Sequence, residues 1–208
     1  AKNSMDRAGI YLNGKFRALE PDDIPLIIVT RNERRLIKPF LDHYRMLGVT
    51  RFLWLDDTSD DGSVALLLAQ PDVDVLTSNV RYPEARRGRL WREMIVDRYG
   101  RDRWYVMVDA DEFLIYKNCE NFKLAEITRA LLSKGVKHLF APMIDLYPGG
   151  NLEDAIYHGD RMPWTVADRF DADGYQIKPV SRGWYVEGGI RHRFSKMPPL
   201  LTKYPLVF

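Results

Sequence analysis

The chain has 208 residues, 46% of them hydrophobic, which is enough for one sizeable core without a forced split into domains. Its 31 basic residues nearly balance its 29 acidic residues, and the net charge of +2 carries no nucleic-acid signature. The single cysteine, Cys119, excludes an intrachain disulfide framework and fits a reducing, cytoplasmic compartment. No apolar run reaches the length of a transmembrane segment, so any membrane contact is expected to be peripheral.

Strand and helix patterns alternate along the first half of the chain. Residues 26–29 form a continuous apolar run that predicts a buried strand, and apolar residues then recur at spacings of three and four, which predicts a helix. Asn32 is the expected N-cap of that helix and Gly48 its expected stop. The pattern continues with a strand at 51–55, a short helix at 64–69 and a strand around 73–76. This order implies right-handed crossovers and a largely parallel sheet.

The turn after the second strand, Asp56-Asp57-Thr58-Ser59-Asp60-Asp61-Gly62-Ser63, is unusually acidic. A calcium loop of the EF-hand kind is disfavoured, because with Asp57 in the first position the twelfth is Leu68 rather than a bidentate glutamate. Ser59, Asp60 and Asp61 are all good N-caps for the helix that follows. Capping and ligand binding therefore both stay open as roles for this loop.

The segment from Trp104 to Leu114 holds the most informative motif, because its apolar run leads directly into Asp109-Ala110-Asp111-Glu112. Residues i and i+2 of an extended chain point to the same side, so Asp109 and Asp111 can present two carboxylates together. They follow a buried strand, and open α/β sheets bind ligands at the carboxyl ends of their strands. Hard oxygen donors there suit Mg²⁺ or Mn²⁺. Solvated acids at a strand end are the alternative.

These motifs, in their order and spacing, resemble the nucleotide-sugar half of glycosyltransferases with the GT-A fold, bacterial family 2-like and family 92-like enzymes in particular. The resemblance extends from about residue 24 to the end of the chain. The segments that carry it are Arg31-Asn32-Glu33, Leu47-Gly48-Val49, the acidic turn, Asp109-Ala110-Asp111-Glu112, Gly88 with Trp91, Asp145-Leu146-Tyr147-Pro148, Phe170-Asp171, Gly188-Gly189-Ile190-Arg191 and Leu201-Thr202-Lys203-Tyr204-Pro205-Leu206.

The resemblance implies an α/β, Rossmann-like three-layer sandwich with a mostly parallel central sheet. Residues 1–23 would be an N-terminal extension, 24–116 the nucleotide-sugar-binding half and 117–208 the acceptor-side half. The implied activity is a metal-dependent, inverting transfer of a sugar from a nucleoside diphosphate sugar, usually a UDP-sugar, to a glycan or other hydroxyl acceptor, as in polysaccharide biosynthesis. The implied cofactor is Mn²⁺ or Mg²⁺.

The resemblance also assigns roles at the donor side. Thr30, Asn32 and Glu33 match the exit from the first strand that contacts the nucleoside. Asp57, which follows Asp56, matches the acid that accepts a hydrogen bond from the base. Asp109 would lie near the ribose and the metal, and Asp111 would be the direct metal ligand.

Cationic residues supply further candidates. Arginines crowd residues 81–103, and most are expected to form a solvated helix face, with Arg86 as the candidate for the donor diphosphate. Arg191 and Arg193 could add positive charge at the same place. His192, between them, is a candidate metal ligand, with a surface imidazole as the alternative.

An inverting transferase needs a general base for the acceptor hydroxyl. The acids downstream of the metal motif are Asp168, Asp171, Asp173 and Glu187. Asp171 and Glu187 are the preferred candidates, because each stands beside a segment that resembles the family, although either could instead hold a loop. Residues 149–183 lack steady periodicity, which favours a mobile acceptor loop.

The last six residues read as a strand with no polar tail beyond it. Enzymes of the family continue past this point, so we expect a C-terminally truncated domain. Two other functions stay open for that reason and on fold grounds: a nucleotide-sugar-binding module without activity, and a nucleotidyltransferase. The second usually has a Gly-rich basic loop after the first strand, and Thr30-Arg31-Asn32-Glu33 lacks the glycines.

Overall fold

The computed structural model describes residues 2–5, 9–181, 183–195 and 200–208, the first four by their backbone alone. The strands are β1 (Lys2–Met5), β2 (Ile10–Asn13), β3 (Pro25–Thr30), β4 (Arg51–Asp56), β5 (Val73–Ser78), β6 (Tyr105–Met107), β7 (His138–Pro142), β8 (Gln176–Val180), β9 (Gly183–Glu187) and β10 (Thr202–Val207). The helices are α1 (Arg34–Leu47), α2 (Ser63–Leu68), α3 (Arg89–Tyr99), α4 (Leu124–Ser133) and α5 (Arg191–Phe194), with short 3-10 turns at Leu152–Asp154 and Pro163–Thr165.

Eight of these strands form one sheet in the order β1-β2-β5-β4-β3-β6-β10-β7. Its centre, β5-β4-β3-β6, is parallel, and only β2 and β10 run against the common direction of the others described. The predicted α/β architecture with a mostly parallel sheet is thereby confirmed. The four central strands follow the order of a Rossmann-like half, third-second-first-fourth. Strands β8 and β9 pair separately.

Helices cover both faces of the sheet, because the side chains of each central strand alternate between two cores. Leu26 and Ile28 of β3 pack in one core with Phe40 of α1, and this core also takes in α2 and α4. Ile27, between them, belongs to the opposite core with Trp91 of α3. This period of two is the pattern of a strand buried on both faces. The result is three layers, helix on sheet on helix.

Both ends of the described chain add strands to this sheet. The segment assigned to an N-terminal extension supplies β1 and β2, and β2 pairs with β5. Arg17 pairs with the buried Asp74 of β5, which fastens the segment further. The predicted terminal strand is confirmed as β10, which lies between β6 and β7. Because β10 runs antiparallel to both, its first residues reach the carboxyl ends of β6 and β7.

Two predicted caps differ from the observed ones. Helix α1 starts one residue later than expected, with Glu33 as N-cap, because Asn32 adopts a left-handed conformation (φ 57°). Helix α2 has Gly62 at its N-cap (φ 88°), since a glycine enters that conformation without Cβ strain. The predicted stop at Gly48 is confirmed by its left-handed C-cap (φ 96°). In the described ranges, none of the helices is both long and apolar enough to cross a membrane.

Candidate functional site

The sheet has a topological switch point between β3 and β6. From β3 the chain proceeds to β4 and β5 on one side and then crosses to β6 on the other. Ligands of open α/β sheets bind in the crevice outside the carboxyl ends of the strands at such a point. The two segments that flank the crevice are residues 30–33, at the end of β3, and 109–112, after β6. These are the two segments in which the sequence predicted donor and metal contacts.

Asp109 is held by two cations. Its Oδ1 accepts a hydrogen bond from Arg92 Nη2 at 2.9 Å, and its Oδ2 accepts one from Lys203 Nζ at 3.1 Å. Burial pushes the pKa of Asp109 up, but the attraction of Lys203, and then of Arg92, outweighs burial and holds the pKa below its usual value. The carboxylate is therefore the stable form of Asp109.

Lys203 links Asp109 to a second acid of the motif. Its ammonium lies 2.5 Å from Glu112 Oε1, and the other oxygen of Glu112 accepts the backbone N–H of Asp109 at 3.2 Å. Burial lowers the pKa of Lys203, but Glu112 and then Asp109 raise it above its usual value. Lys203 had no predicted role, and Arg92 was covered only by the cluster of arginines at residues 81–103. The one available signal for Lys203 was its place in a segment that resembles the family.

Helix α1 anchors the loop that carries the motif. Tyr44 donates its hydroxyl to the Glu112 carbonyl at 2.9 Å and accepts the N–H of Leu114 at 3.1 Å. His43 Nε2 lies 3.0 Å from the Leu114 carbonyl. Burial lowers the pKa of His43, although this hydrogen bond opposes the shift, so the imidazole is neutral and donates Nε2–H. His43 thus has a structural role, since it helps to fix the loop that carries the motif.

Asp111 is exposed, and its side chain has no hydrogen bond or ion pair within the described ranges. Its charge nevertheless acts across the crevice on Glu33. The pKa of Glu33 is raised by burial and then by the negative charges of Asp111 and Asp61. Glu33 and Asp111, one from each loop, therefore repel each other across the crevice. Asp111 offers a carboxylate that is not engaged by other groups.

The donor set fits a hard divalent cation that brings ligands of its own. Within the described part of the chain, no group of three or more His, Cys, Asp or Glu side chains could enclose a metal ion. Mg²⁺ is usually bound by only one or two carboxylates plus water and substrate phosphates, so a closed cage is not required. Asp111 supplies a free oxygen donor, and Glu33 adds negative charge nearby. The exposed ring of His192 joins no such group.

The acidic turn after β4 lies at the same edge of the sheet. Asp56 is buried, with Oδ2 accepting the N–H of Ser59 at 3.0 Å and Oδ1 without a partner among the described residues. Asp57 donates its backbone N–H to the Thr30 carbonyl at 2.8 Å, and its partly exposed carboxylate makes no hydrogen bond or ion pair in the described ranges. Its pKa is raised, mainly by burial. Of the two acids, only Asp57 offers its carboxylate to a ligand.

Hydrogen bonds connect residues 30–34 to the acidic turn. Asn32 donates its N–H to Ser59 Oγ at 2.8 Å and accepts the N–H of Asp60 on its side chain at 2.9 Å. Asp61 accepts the N–H of Arg34, in the first turn of α1, at 3.0 Å. The buried hydroxyl of Thr30 accepts the indole N–H of Trp54 at 2.7 Å. Thr30 and Asn32 therefore stabilise the local structure through these hydrogen bonds, in addition to any contact that they make with a ligand.

Two of the predicted arginines are engaged with acids, and one is not. Arg191 forms a bidentate pair with Asp145, at 2.6 and 2.7 Å. Its pKa is raised, first by that bond, and the charges of Asp111 and Glu112 add to the shift, so Arg191 lies near the crevice. Arg193 pairs with Asp171. Arg86 is exposed, has a left-handed backbone (φ 50°) and makes no side-chain hydrogen bond or ion pair in the described ranges.

The two candidate bases lie in different settings. Asp171 accepts the hydroxyl of Tyr147 at 2.6 Å in addition to its pair with Arg193. Glu187, on β9, accepts the hydroxyl of Tyr185 at 2.5 Å. Of the other acids downstream, Asp168 accepts the N–H of Gly149 at 3.1 Å and Asp173 is exposed.

A cleft of about 610 Å³ opens beside Asp111. Its charged lining consists of Asp111, Glu112, Asp145, Arg191 and Lys203. The remaining lining is apolar or aromatic and comes from the segment after β6, from the end of β7 and the segment after it, from residues 163–170 and from β10: Val108, Phe113, Leu114, Ile115, Ala141, Pro142, Met143, Ile144, Leu146, Pro163, Trp164, Ala167, Phe170 and Pro205.

Comparisons with known proteins add little to this geometry. No protein-family model and no curated protein matches the sequence. Among solved structures, the chain is similar to a 4-diphosphocytidyl-2C-methyl-D-erythritol synthase, with 10% sequence identity and a TM-score of 0.40 over 89% of this chain and 75% of that one. A likeness at that level carries no functional argument, so the case for function depends on the crevice itself.

Proposed function

We propose that the chain is a metal-dependent glycosyltransferase of the GT-A kind, which moves a sugar from a nucleoside diphosphate sugar, most readily a UDP-sugar, to a hydroxyl acceptor. The observation that carries this proposal is the position of Asp109-Ala110-Asp111. The motif leaves β6 at the topological switch point, and it presents one carboxylate held by cations beside one that is free. That combination suits a diphosphate bound together with a metal ion.

The proposed donor site uses charge to stabilise the leaving group. Asp111, with Asp109 beside it, would hold Mn²⁺ or Mg²⁺, which when bound neutralises charge on the diphosphate. The chain adds Arg92 and Lys203, whose positive ends already lie at Asp109. Fixed cations aimed at a developing negative charge lower the barrier to departure, since they need no reorganisation during the reaction. Arg191 could contribute from the cleft side.

The nucleoside would bind at the acidic turn. The free carboxylate of Asp57 is suited to accept the ring N–H of uracil, and its backbone is fixed to Thr30. The hydrogen bonds of Asn32 with Ser59 and Asp60 support the same assignment, because they hold the turn in one conformation before the nucleotide binds.

Asp171 is the better of the two candidate bases. The preceding residue, Phe170, lines the cleft, whereas neither Glu187 nor its neighbours do so. The pKa of Tyr175 is raised first by burial and then by Asp171 and Asp145, so Asp171 lies close to the charged lining of the cleft. A base in that position could take the proton of an acceptor hydroxyl.

The test is a turnover assay on the whole chain with a panel of UDP- and GDP-sugars and Mn²⁺, with chelator as control. We expect release of nucleoside diphosphate that needs the metal and is lost in Asp111→Asn. Binding without turnover would indicate a nucleotide-sugar-binding module instead. Release of pyrophosphate from a nucleoside triphosphate would indicate a nucleotidyltransferase.

A further inference from the structure

The cleft beside Asp111 has two chemically different parts. Its five charged residues form one group, because Lys203 pairs with Glu112, Arg191 pairs with Asp145, and Arg191 feels the charges of Asp111 and Glu112. The other lining residues are apolar or aromatic.

Large apolar side chains face the open cleft rather than the core. Four of them are exposed to the extent of 43% to 65%: Ile115, Ile144, Leu146 and Phe170. Apolar residues that line a concave surface together, next to a few converging polar groups, are typical of a ligand site. Each would lose its exposure to water if an apolar ligand filled the cleft.

Aromatic contacts fix the floor of the apolar part, which consists of Phe113 and Trp164. Phe113 packs edge-on against Trp164, with ring centroids 5.4 Å apart, and also against the fully buried Phe40. His43 contacts both Phe113 and Trp164 edge-on. The floor is thus tied through α1 to the main core, so it can present a fixed apolar surface.

We propose that this cleft binds the acceptor, and that the acceptor is an amphiphile: a lipid-like alkyl chain that carries its hydroxyl group at one end. The inference deepens the proposed function and rests on it. Asp111 is both the proposed metal ligand and part of the cleft lining. A chain lying along the apolar walls therefore places its polar end at the crevice where the sugar is transferred.

The apolar lining of the cleft disfavours an acceptor that is polar along its whole length. A glycan in the apolar part would face Ile115, Ile144 and Leu146, none of which has a side-chain donor or acceptor. Its hydroxyl groups would lose water without gaining a partner, and that desolvation is unfavourable. An alkyl chain gains from the same surface, because burial of each methylene group strengthens binding by up to about fourfold.

The experiment is calorimetric titration of the whole chain with methyl, butyl, hexyl and octyl β-glucosides below their micelle concentrations, without nucleotide and without metal. The four probes share one sugar end and differ only in the chain. We expect the affinity to rise about two- to fourfold with each added methylene group. Equal affinity for the methyl and octyl compounds would overturn the inference.

Paired variants locate the binding. Ile144→Asn and Ile115→Asn change exposed cleft residues and should weaken octyl glucoside binding by about fivefold or more, in line with the loss of a few buried methylene contacts. Leu152→Asn changes an even more exposed leucine, 76% accessible and outside the cleft lining, and should leave binding unchanged. Thermal melts confirm that each variant folds. Octyl binding that survives both cleft variants would also overturn the inference.

The outcomes separate this inference from the proposed function. Loss of chain-length dependence with intact, metal-dependent UDP binding would refute the lipid-like acceptor and leave the transferase proposal standing. Clear chain-length dependence at the cleft in a protein that binds no nucleotide would refute the transferase proposal and leave an amphiphile-binding cleft.

Discussion

The ammonium of Lys203 lies 3.1 Å from a carboxylate oxygen of Asp109, although the two residues are 94 positions apart in the chain. The contact exists because β10 runs antiparallel beside β6, so its first residues meet the loop that leaves β6. The negative charge of Asp109, the first acid of the Asp-x-Asp motif, is thereby balanced by the protein's own cations. Asp111, the second acid, remains free.

Replacing Lys203 with methionine should raise the pKa of Asp109, because Lys203 is the largest of the influences that lower it against burial. Carboxyl-carbon NMR titration of the wild type and Lys203→Met measures the change. The variant should also lose about 1 kcal/mol of unfolding free energy at neutral pH, a modest value because the pair is partly exposed and screened by solvent. An unchanged Asp109 titration would contradict the account.

The pH dependence of this loss of stability in Lys203→Met follows from the shifted pKa values of Asp109 and Lys203. Asp109 has a lowered pKa in the folded protein, so its contribution is present above the unfolded pKa and lost as pH falls through the folded value. Lys203 has a raised pKa, so its contribution is lost as pH rises through the folded value. The stability difference should be greatest between these limits. Lys38→Met breaks a more exposed pair with Asp42 and should cost no more than about 0.5 kcal/mol.

Asp57→Asn should weaken UDP binding by about five- to tenfold and reduce the preference for UDP over GDP, because the amide still accepts a hydrogen bond from the base but loses the charge assistance, which contributes about 1–1.5 kcal/mol. Calorimetry with both nucleotides in Mn²⁺ provides the measurement. Asp60→Asn is the matched control, since Asp60 lies on the same turn with an exposed side chain. Equal affinities of the wild type for UDP and GDP would refute the role of Asp57.

Asp171→Asn should lower turnover by about two to four powers of ten without weakening donor binding, because a general base acts only on the acceptor proton. Glu187→Gln should stay near the wild-type rate, since neither Glu187 nor its neighbours line the cleft. Steady-state kinetics with a verified acceptor, together with UDP calorimetry, separate the two effects. The reverse ranking would move the base to β9, and no effect from either would favour a mechanism without a base.

Gly188→Ala should destabilise the fold by more than Gly174→Ala. A Cβ on Gly188 would lie 2.3 Å from the Gly174 carbonyl oxygen and 2.7 Å from Tyr175 Cα, so backbone must move. Gly174 has a left-handed φ of 77° but open space around it, and its substitution should cost only about 1–2 kcal/mol. Chemical denaturation of both variants compares them. Equal losses would mean that the close approach is not tight.

The sequence predicted the central elements well, because their signals are local. The apolar run of β3 and the three-and-four spacing of α1 each report burial within a single element. Gly48 was recognisable as a stop because a left-handed C-cap strongly favours glycine. The cap of α1 was misjudged by one residue, since the side chain of Asn32 bonds to Asp60 in another loop.

The partners of the motif could not be predicted in the same way. Arg92 reaches Asp109 from α3 and Lys203 reaches it from β10, so both contacts depend on tertiary packing. No spacing rule connects residues that far apart. The engagement of Arg193 with Asp171 was hidden for the same reason, although both residues were singled out separately as candidates.

The most direct test of the account is calorimetry of UDP with the wild type and with Asp111→Asn, each with and without Mn²⁺. Asp111 is exposed and without a bonding partner in the described structure, so the substitution should leave the fold intact, as a thermal melt can verify. Asp22→Asn, an exposed acid just before β3 at the opposite edge of the sheet, is the control. We predict Mn²⁺-dependent UDP binding in the wild type and control and its loss in Asp111→Asn; an unchanged UDP affinity in the folded Asp111→Asn variant would contradict the proposed metal site.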